Sequence, residues 1–266
     1  MNILDKIIDS KRQEVEERKK RTPVSSLEQN EYFEREPHSL RQSLLDARAT
    51  GIIAEFKRRS PSKGIINEDA EISQVLNAYN GQGASGISIL TDEEFFGGTI
   101  NDINDHRAAI GVPVLRKDFI IDEYQILESK AIGADVILLI AACLTQDEVK
   151  RLSKFARQLK LEVLLELHDE GELGHICDDT GLIGVNNRNL KTFEVNTEHS
   201  LTIAEKIPGD RIKIAESGIG GVADVAMFKR NGFKGFLIGE LFMSADDPAI
   251  AFAEFVNALQ QASPCH

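Results

Sequence analysis

Eight short apolar runs separated by helix-like stretches predict an α/β protein, a (β/α)8 TIM barrel with an N-terminal helical extension. Three observations carry that expectation. The runs are apolar throughout rather than alternating, as strands covered on both faces must be. They recur about every 20–35 residues, the spacing of a strand plus a crossover helix. Ionisable residues gather where the runs end, and in a barrel the loops there surround the mouth. An open doubly wound sheet shares the alternation of elements, so periodicity leaves both open. The absence of GxGxxG after the first run weakens the dinucleotide-binding version of that sheet.

Residues 1–50 stand apart. Ile3, Leu4, Ile7, Ile8 and Val15 fall on one helical face amid dense Lys, Arg and Glu, and a second short helical pattern spans 40–48. Segments this short hold no core of their own, so the extension is expected to pack over one end of the domain and cover part of its active site. The barrel is expected over 51–266, as a single domain overall. Its runs lie at 52–56, 86–90, 112–115, 136–140, 163–167, 182–185, 212–215 and 236–238. Amphipathic helical segments are expected at 69–83, 123–132, 145–159, 223–231 and 248–259. About 215 residues of barrel leave no room for a fused second enzyme.

Composition narrows the function classes. With 42% hydrophobic and 28% charged residues among 266, the chain matches an ordinary soluble enzyme, which excludes disordered and collagen-like classes. A net charge of −12 argues against a nucleic-acid-binding surface, while leaving room for a local basic pocket. No apolar stretch reaches the roughly 18 residues of a membrane span, and the N-terminus lacks the features of a signal peptide. Cys143, Cys177 and Cys265 are odd in number and lack CxxC spacing, and the six histidines form no HExxH. A cytoplasmic protein without a transition metal is expected.

The chemistry sits where the runs end. Glu55 and Lys57 are two apart, hence on one face of the first strand; Lys117 ends the third and Glu166 the fifth. Asn186 and Arg188 close the sixth, and Glu216 and Ser217 the seventh. A lone charge at a strand end is ordinarily just entering a loop. Five of eight strands ending on polar or charged groups of both signs is a pattern. Burying an unpaired charge costs several kcal/mol, so these groups should pair with each other or with a ligand. Arg116 and Asp118 flank Lys117 and by alternation face the helices.

Glycines mark a second site. Gly218, Gly220 and Gly221 follow the seventh run and Gly239 the eighth, where backbone amides and a helix N-terminus can hold an anion. The loops after the last two strands are a common phosphate site in barrels. The basic run 58–64, with Ser60, follows directly on Lys57. In an acidic chain it is expected to be a mobile loop offering Ser60 and cations to the phosphate. Together with Lys57, Lys117, Arg188 and the glycine amides, it should reverse the sign of charge locally and admit an anionic small molecule.

Ile53-Ala54-Glu55-Phe56-Lys57-Arg58-Arg59-Ser60-Pro61-Ser62-Lys63-Gly64 resembles the first-strand signature of indole-3-glycerol phosphate synthases. The resemblance continues through Leu90-Thr91-Asp92, Phe95-Phe96-Gly97-Gly98, Leu115-Arg116-Lys117-Asp118-Phe119 and Leu165-Glu166-Leu167. Beyond these come Gly184-Val185-Asn186-Asn187-Arg188-Asn189-Leu190, Ala215-Glu216-Ser217-Gly218-Ile219 and Leu237-Ile238-Gly239-Glu240. It covers nearly the whole chain, extension included. The motifs of the first and third runs are specific, whereas the last two recur in other phosphate-binding barrels.

The resemblance implies a carboxy-lyase of tryptophan biosynthesis acting on 1-(2-carboxyphenylamino)-1-deoxyribulose 5-phosphate. It would close the pyrrole ring with loss of carbon dioxide and water, using no cofactor and no metal. It implies Lys117 as the proton donor at the developing alkoxide, Glu166 and Lys57 as the groups that serve dehydration, and Glu55 as the partner that orients Lys57. Arg188 would meet a carboxylate in a bidentate fork, Asn186 and Ser217 would contact the substrate's polar edge, and Glu216 would accept from ribulose hydroxyls. Phe96, Phe119, Leu190 and Leu237 would wall the anthranilate ring. Ser60, Gly218, Gly239 and the amide of Glu240 would hold the phosphate. Some members of the family carry serine where this chain has Glu240. A carboxylate repels phosphate, so its side chain is expected to turn away and offer only the backbone N–H.

The expected partner is therefore an anionic sugar phosphate, not a nucleic acid or a membrane, and the chain is expected to be a monomer or weak dimer. Phosphoribosylanthranilate isomerases and tryptophan synthase α-like barrels share the late phosphate loops. They would not explain the KRRSPSKG loop or Lys117 in LRKDF. A non-catalytic sugar-phosphate sensor is opposed by the intact set of Lys57, Lys117 and Glu166.

Overall fold

A computed structural model of the chain describes residues 3–189 and 194–262. Three helices come first: α1 (Ile3–Arg21), α2 (Val24–Leu27) and α3 (Leu40–Leu45). Then follow β1 (Ile52–Phe56), the two short strands β2 (Arg59–Ser60) and β3 (Gly64–Ile65), α4 (Ile72–Gly81), β4 (Gly86–Leu90), α5 (Asn101–Asn104) and β5 (Val114–Lys117). Next come α6 (Glu123–Ala131), β6 (Val136–Ile140), α7 (Gln146–Gln158), β7 (Glu162–Leu167), β8 (Leu182–Asn186) and α8 (Thr197–Lys206). The chain finishes with β9 (Ile212–Glu216), α9 (Val222–Arg230), β10 (Phe233–Ile238), α10 (Glu240–Met243) and α11 (Pro248–Ala262).

Eight of these strands pair in parallel, β1 with β10 on one side and β4 on the other, and close into a barrel. Closure excludes the open sheet; the fold is a (β/α)8 TIM barrel. Where strand boundaries differ from the expected runs, the backbone gives the reason. β5 starts at Val114 because Pro113 has no N–H to give; the amide of Val114 goes instead to Asp135 Oδ2, 2.7 Å away. β10 begins three residues before the apolar run that marks it, since Lys234 and Gly235 interrupt the pattern without interrupting the strand. Within the basic loop, β2 and β3 form a small antiparallel hairpin that the sequence does not announce.

Side chains alternate between two cores. Ile53, Leu115, Leu138, Leu164, Leu182, Ile214 and Leu237 fill the barrel, while Ile52, Ala54, Phe56 and the other outward residues pack beneath the helices. Leu40 and Leu44 of α3 join the inner cluster and stopper the N-terminal end of the barrel. A Cβ at Gly86, the first residue of β4, would lie 2.8 Å from Leu40 Cδ1, so that strand must begin on glycine. Meanwhile Ile3, Leu4 and Ile7 of α1 line the cavity at the opposite, C-terminal mouth. The segment before β1 thus covers both ends of the barrel rather than one.

α1 is fastened by buried charge. Lys11, only 1% exposed, lies 2.9 Å from Asp92 and 2.9 Å from Asp118. Arg18 meets Glu128 of α6 at 2.9 Å, and Arg116 meets both Glu128 (2.8 Å) and Asp118 (3.0 Å). Arg116 and Asp118 therefore face the helices, as strand alternation requires. Among the described residues no helix is long and apolar enough to cross a membrane.

Candidate active site

A cavity of about 190 Å³ opens at the C-terminal mouth. Every site residue expected from the sequence lines it except Leu190, which falls outside the described residues. All eight barrel strands contribute side chains to it, because inward-facing residues of consecutive strands converge there.

Lys117 occupies the centre. Its Nζ lies 3.0 Å from Glu166 Oε2 and also touches Glu216 Oε2. Burial alone would drive the ammonium to lose its proton, but Glu166, Glu216 and Glu55 outweigh it and raise the pKa. The two carboxylates sharing this ammonium are pushed apart. Burial opposes ionisation of Glu166, yet Lys117 and His168 hold its carboxyl well below the usual range. Glu216 moves the other way: burial, reinforced by the charge of Glu166, raises its proton affinity despite Lys117. One carboxylate stays ionised while its neighbour is poised to carry a proton.

Glycine makes this crowding possible. A Cβ at Gly184 would sit 2.0 Å from Glu216 Oε1, so β8 must be bare where β9 projects its carboxylate. Similarly, a Cβ at Gly239 would meet Glu55 Oε1 at 2.6 Å. Glu55 uses that space to hold Lys57, with Nζ donating to Oε1 at 2.7 Å.

Asn186 links the centre to the rim. Its Nδ2 donates to Glu166 Oε1 at 3.1 Å and its Oδ1 accepts the amide of Arg188 at 3.0 Å. The Arg188 guanidinium donates to Glu240 Oε2 (3.1 Å), and Glu240 Oε1 lies 3.3 Å from Lys63 Nζ. Glu240 therefore does more than offer a backbone N–H: its side chain bridges two cations at the rim. After β9, Ser217 and Gly218 are consecutive left-handed residues, φ +66° and +69°. For serine that conformation costs about 1 kcal/mol, and Asn187 braces it by donating to the Ser217 carbonyl at 2.7 Å. Gly221 then leads into α9, and α10 starts directly after Gly239. On the apolar side the rings of Phe96 and Phe119 stand 6.1 Å apart, and Leu237 belongs both to the wall and to the barrel core.

The basic loop departs from expectation. Arg58 makes a bidentate pair with Asp102 (2.6 and 3.0 Å) and lies over the Phe56 ring, while Arg59 donates to the carbonyls of Glu93 and Glu94. Neither arginine lines the cavity; of the loop's cations Lys63 alone approaches it, through Glu240. Lys57, Lys117 and Arg188 are matched by Glu55, Glu166, Glu216 and Glu240, so side chains do not supply the expected local excess of positive charge. Two contributors lie outside the site residues expected from the sequence. His168 places Nε2 3.0 Å from Glu166 Oε1, although it sits just past the apolar run. Its signal is strand periodicity, two residues beyond Glu166. Lys11 shares the helical stripe of Ile7, Ile8 and Val15, and is buried with them.

The family model described as Indole-3-glycerol phosphate synthase matches residues 4–255. An indole-3-glycerol phosphate synthase of Bacteroides thetaiotaomicron is 44% identical over 259 residues, covering 97% of this chain and 99% of that one. Proteins of the same description from Burkholderia vietnamiensis and a Polaromonas species are 43% and 41% identical, each covering 95% of this chain and 98% and 97% of their own. Among solved structures, a thiamine phosphate pyrophosphorylase from Pyrococcus furiosus has a TM-score of 0.59 at 15% identity, covering 84% of this chain and 98% of its own. A chain of a tryptophan synthase complex from the same organism has a TM-score of 0.59 at 14% identity, covering 80% and 98%. At such identities these structures share the fold alone. The family match and the relatives speak to more than the fold, and the chain belongs to the indole-3-glycerol phosphate synthase family.

Proposed function

We propose that this chain converts 1-(2-carboxyphenylamino)-1-deoxyribulose 5-phosphate to indole-3-glycerol phosphate, with Lys117 as the proton donor of ring closure. The observation that carries the reading is a buried ammonium at the barrel mouth, in contact with Glu166 and Glu216 and kept charged above all by Glu166. Ring closure joins the carboxylate-bearing aromatic carbon to the ketone carbon, and the ketone oxygen gathers negative charge. A preorganised ammonium stabilises that charge and protonates it. Glu216, whose surroundings favour its protonated form, stands beside Lys117 to restore the proton. Loss of carbon dioxide returns the ring to aromaticity. Loss of the hydroxyl as water then needs one acid and one base on the same ring system, and Lys57 and Glu166 are the pair offered. Carbon dioxide and water leave with no net oxidation or reduction, and side chains supply the acid and base, so the proposed chemistry calls for no redox cofactor.

Binding follows the cavity's layout. Arg188 takes the substrate carboxylate, Asn186 and Ser217 its polar edge, and Phe96, Phe119 and Leu237 its aromatic ring. Glu216 Oε1 has no hydrogen-bond partner among the described residues, and a ribulose hydroxyl can donate there. The phosphate lies against Ser60 and the amides of Gly218, Gly239 and Glu240, at the loops leading into α9 and α10. Residues 1–50 serve as an extension to the barrel of 51–266, with α1 roofing the substrate. The enzyme would work in the cytoplasm on this small anion, with neither nucleic acid nor membrane as partner.

Purified protein should turn the substrate into an indole product, seen as rising indole fluorescence. Lys117→Met should lower kcat by about 10²–10⁴-fold while phosphate-ligand binding stays largely intact. A variant running near the parental rate would remove Lys117 from the role of acid.

A further inference from the structure

We propose that His168 is a positioning residue for Glu166, an imidazolium that orients this carboxylate and keeps it ionised through the proton transfers. The inference rests on the role given to Glu166 above. His168 follows Glu166 by two residues and so projects to the same side of β7. Its Nε2 lies 3.0 Å from Glu166 Oε1, a charge contact off the line of a regular hydrogen bond. The ring is 8% exposed, and neither nitrogen has a hydrogen-bond partner among the described residues. A polar ring buried this deeply needs a reason, and the facing carboxylates supply one.

The groups around it come from several elements. On its own segment, Glu172 Oε2 accepts the His168 amide at 2.6 Å and lies 3.9 Å from Nδ1. From β9, Glu216 adds negative potential in its ionised form. From β8, Asn186 donates to the same Oε1, and from β5, Lys117 holds Oε2. His199 of α8 reaches the His168 carbonyl at 3.3 Å. Three glutamates thus face the ring, and Lys117 sits on the other oxygen of Glu166.

Burial disfavours the imidazolium, yet Glu166, Glu172 and Glu216 overcome it and raise the pKa above the ordinary 6.5. A neutral ring presenting a lone pair to Oε1 at this distance would repel it, so Nε2 must carry hydrogen. With Lys117 on one oxygen, and Asn186 and His168 on the other, the plane of Glu166 is set from three sides. Removing the ring leaves Oε1 to Asn186 alone, and deprotonating it removes the charge that favours the carboxylate.

Two measurements test this. In free enzyme labelled with 15N-histidine, His168 should titrate above 6.5 and fall back in Glu166→Gln. His168→Gln should lower kcat at least about tenfold with KM little changed, and should erase a neutral-to-alkaline ionisation from the kcat–pH profile. His168→Asn should behave alike and serves if the Gln variant folds poorly. A His168 titrating at or below 6.5, or a His168→Gln enzyme with parental kcat and pH profile beside an inactive Glu166→Gln, overturns the role of His168 alone. A Glu166→Gln enzyme with parental kcat overturns the assignment of Glu166, and the role of His168 with it.

Discussion

Replacing Lys11 by Met tests how α1 is held over the mouth, because Met approximates the apolar stem and removes the ammonium with its charge and donors. Lys11 Nζ has three carboxylate partners: Glu14 at 2.7 Å, Asp92 at 2.9 Å and Asp118 at 2.9 Å. Removing one member of a buried ion pair costs about 3–5 kcal/mol, since the partner is left charged and desolvated. Here the lower end applies. Asp118 retains Arg116 at 3.0 Å and the Thr91 hydroxyl at 2.6 Å, Asp92 retains the Phe95 amide, and Glu14 retains Arg18. The expected loss is about 3 kcal/mol, roughly a hundredfold in the docking equilibrium of α1.

Hydrogen exchange of the α1 amides reads that equilibrium directly. KM should rise with it, since Ile3, Leu4 and Ile7 line the cavity. The pH dependence has a definite sign. Burial opposes ionisation of Asp118, but Lys11 and Arg116 hold its carboxyl far below the usual range. Its stabilising contribution is therefore full above the unfolded value of about 3.9 and is lost as pH falls through the folded value. The gap between parent and Lys11→Met should be widest near pH 7 and narrow below about pH 4. Adding Asp92→Asn should return part of the loss, because the stranded charge is then removed. Parental exchange and KM at about pH 7, or a gap that persists in acid, would refute the reasoning.

Gly184→Ala should displace Glu216 from Lys117, as the new Cβ would lie 2.0 Å from Oε1. We expect a kcat loss larger than the roughly 1–3 kcal/mol overpacking cost seen in the unfolding midpoint, and a parental kcat would show that Glu216 need not stay there. Glu240→Gln removes an anion that competes with substrate for Arg188 and Lys63. This rim pair is partly exposed and worth about 0.2–1 kcal/mol, so KM should fall about twofold to fivefold at low salt, less at high salt, with kcat retained. An unchanged KM would mean that Glu240 does not compete.

What the sequence makes legible follows the range of each interaction. Strands announce themselves because both faces are buried, and the mouth because those apolar runs end on charge. Alternation alone turns Lys117 inward and Arg116 outward. Arg58 and Arg59 mislead because their acceptors lie in the loop after β4 and in α5, which no local pattern brings near. Lys11 is legible in part. It lies one turn from Ile7 and from Val15 on the buried face of α1, but nothing near it in the chain identifies Asp92 and Asp118 as its partners. His168 escapes notice because it follows the last apolar residue of its run. α8 leaves little trace since only Ser200, Ile203 and Ala204 are buried in it, too few for a clear stripe.

β5 has a consequence for assembly as well as for chemistry. Its ladder pairs Leu115 with Ser88 and Lys117 with Leu90. A slip of one residue would exchange the faces of every side chain on the strand. The apolar residues Val136–Ile140 of β6 would be little changed by such an error, being greasy on both sides. On β5 the same error would turn the Arg116 fork toward the cavity and leave Glu128 without it, while Lys117 would be torn from Glu166 and Glu216. Charges on both faces thus act as a checksum on strand alignment, and the lysine assigned to the reaction helps the barrel close in the one alignment where it can react.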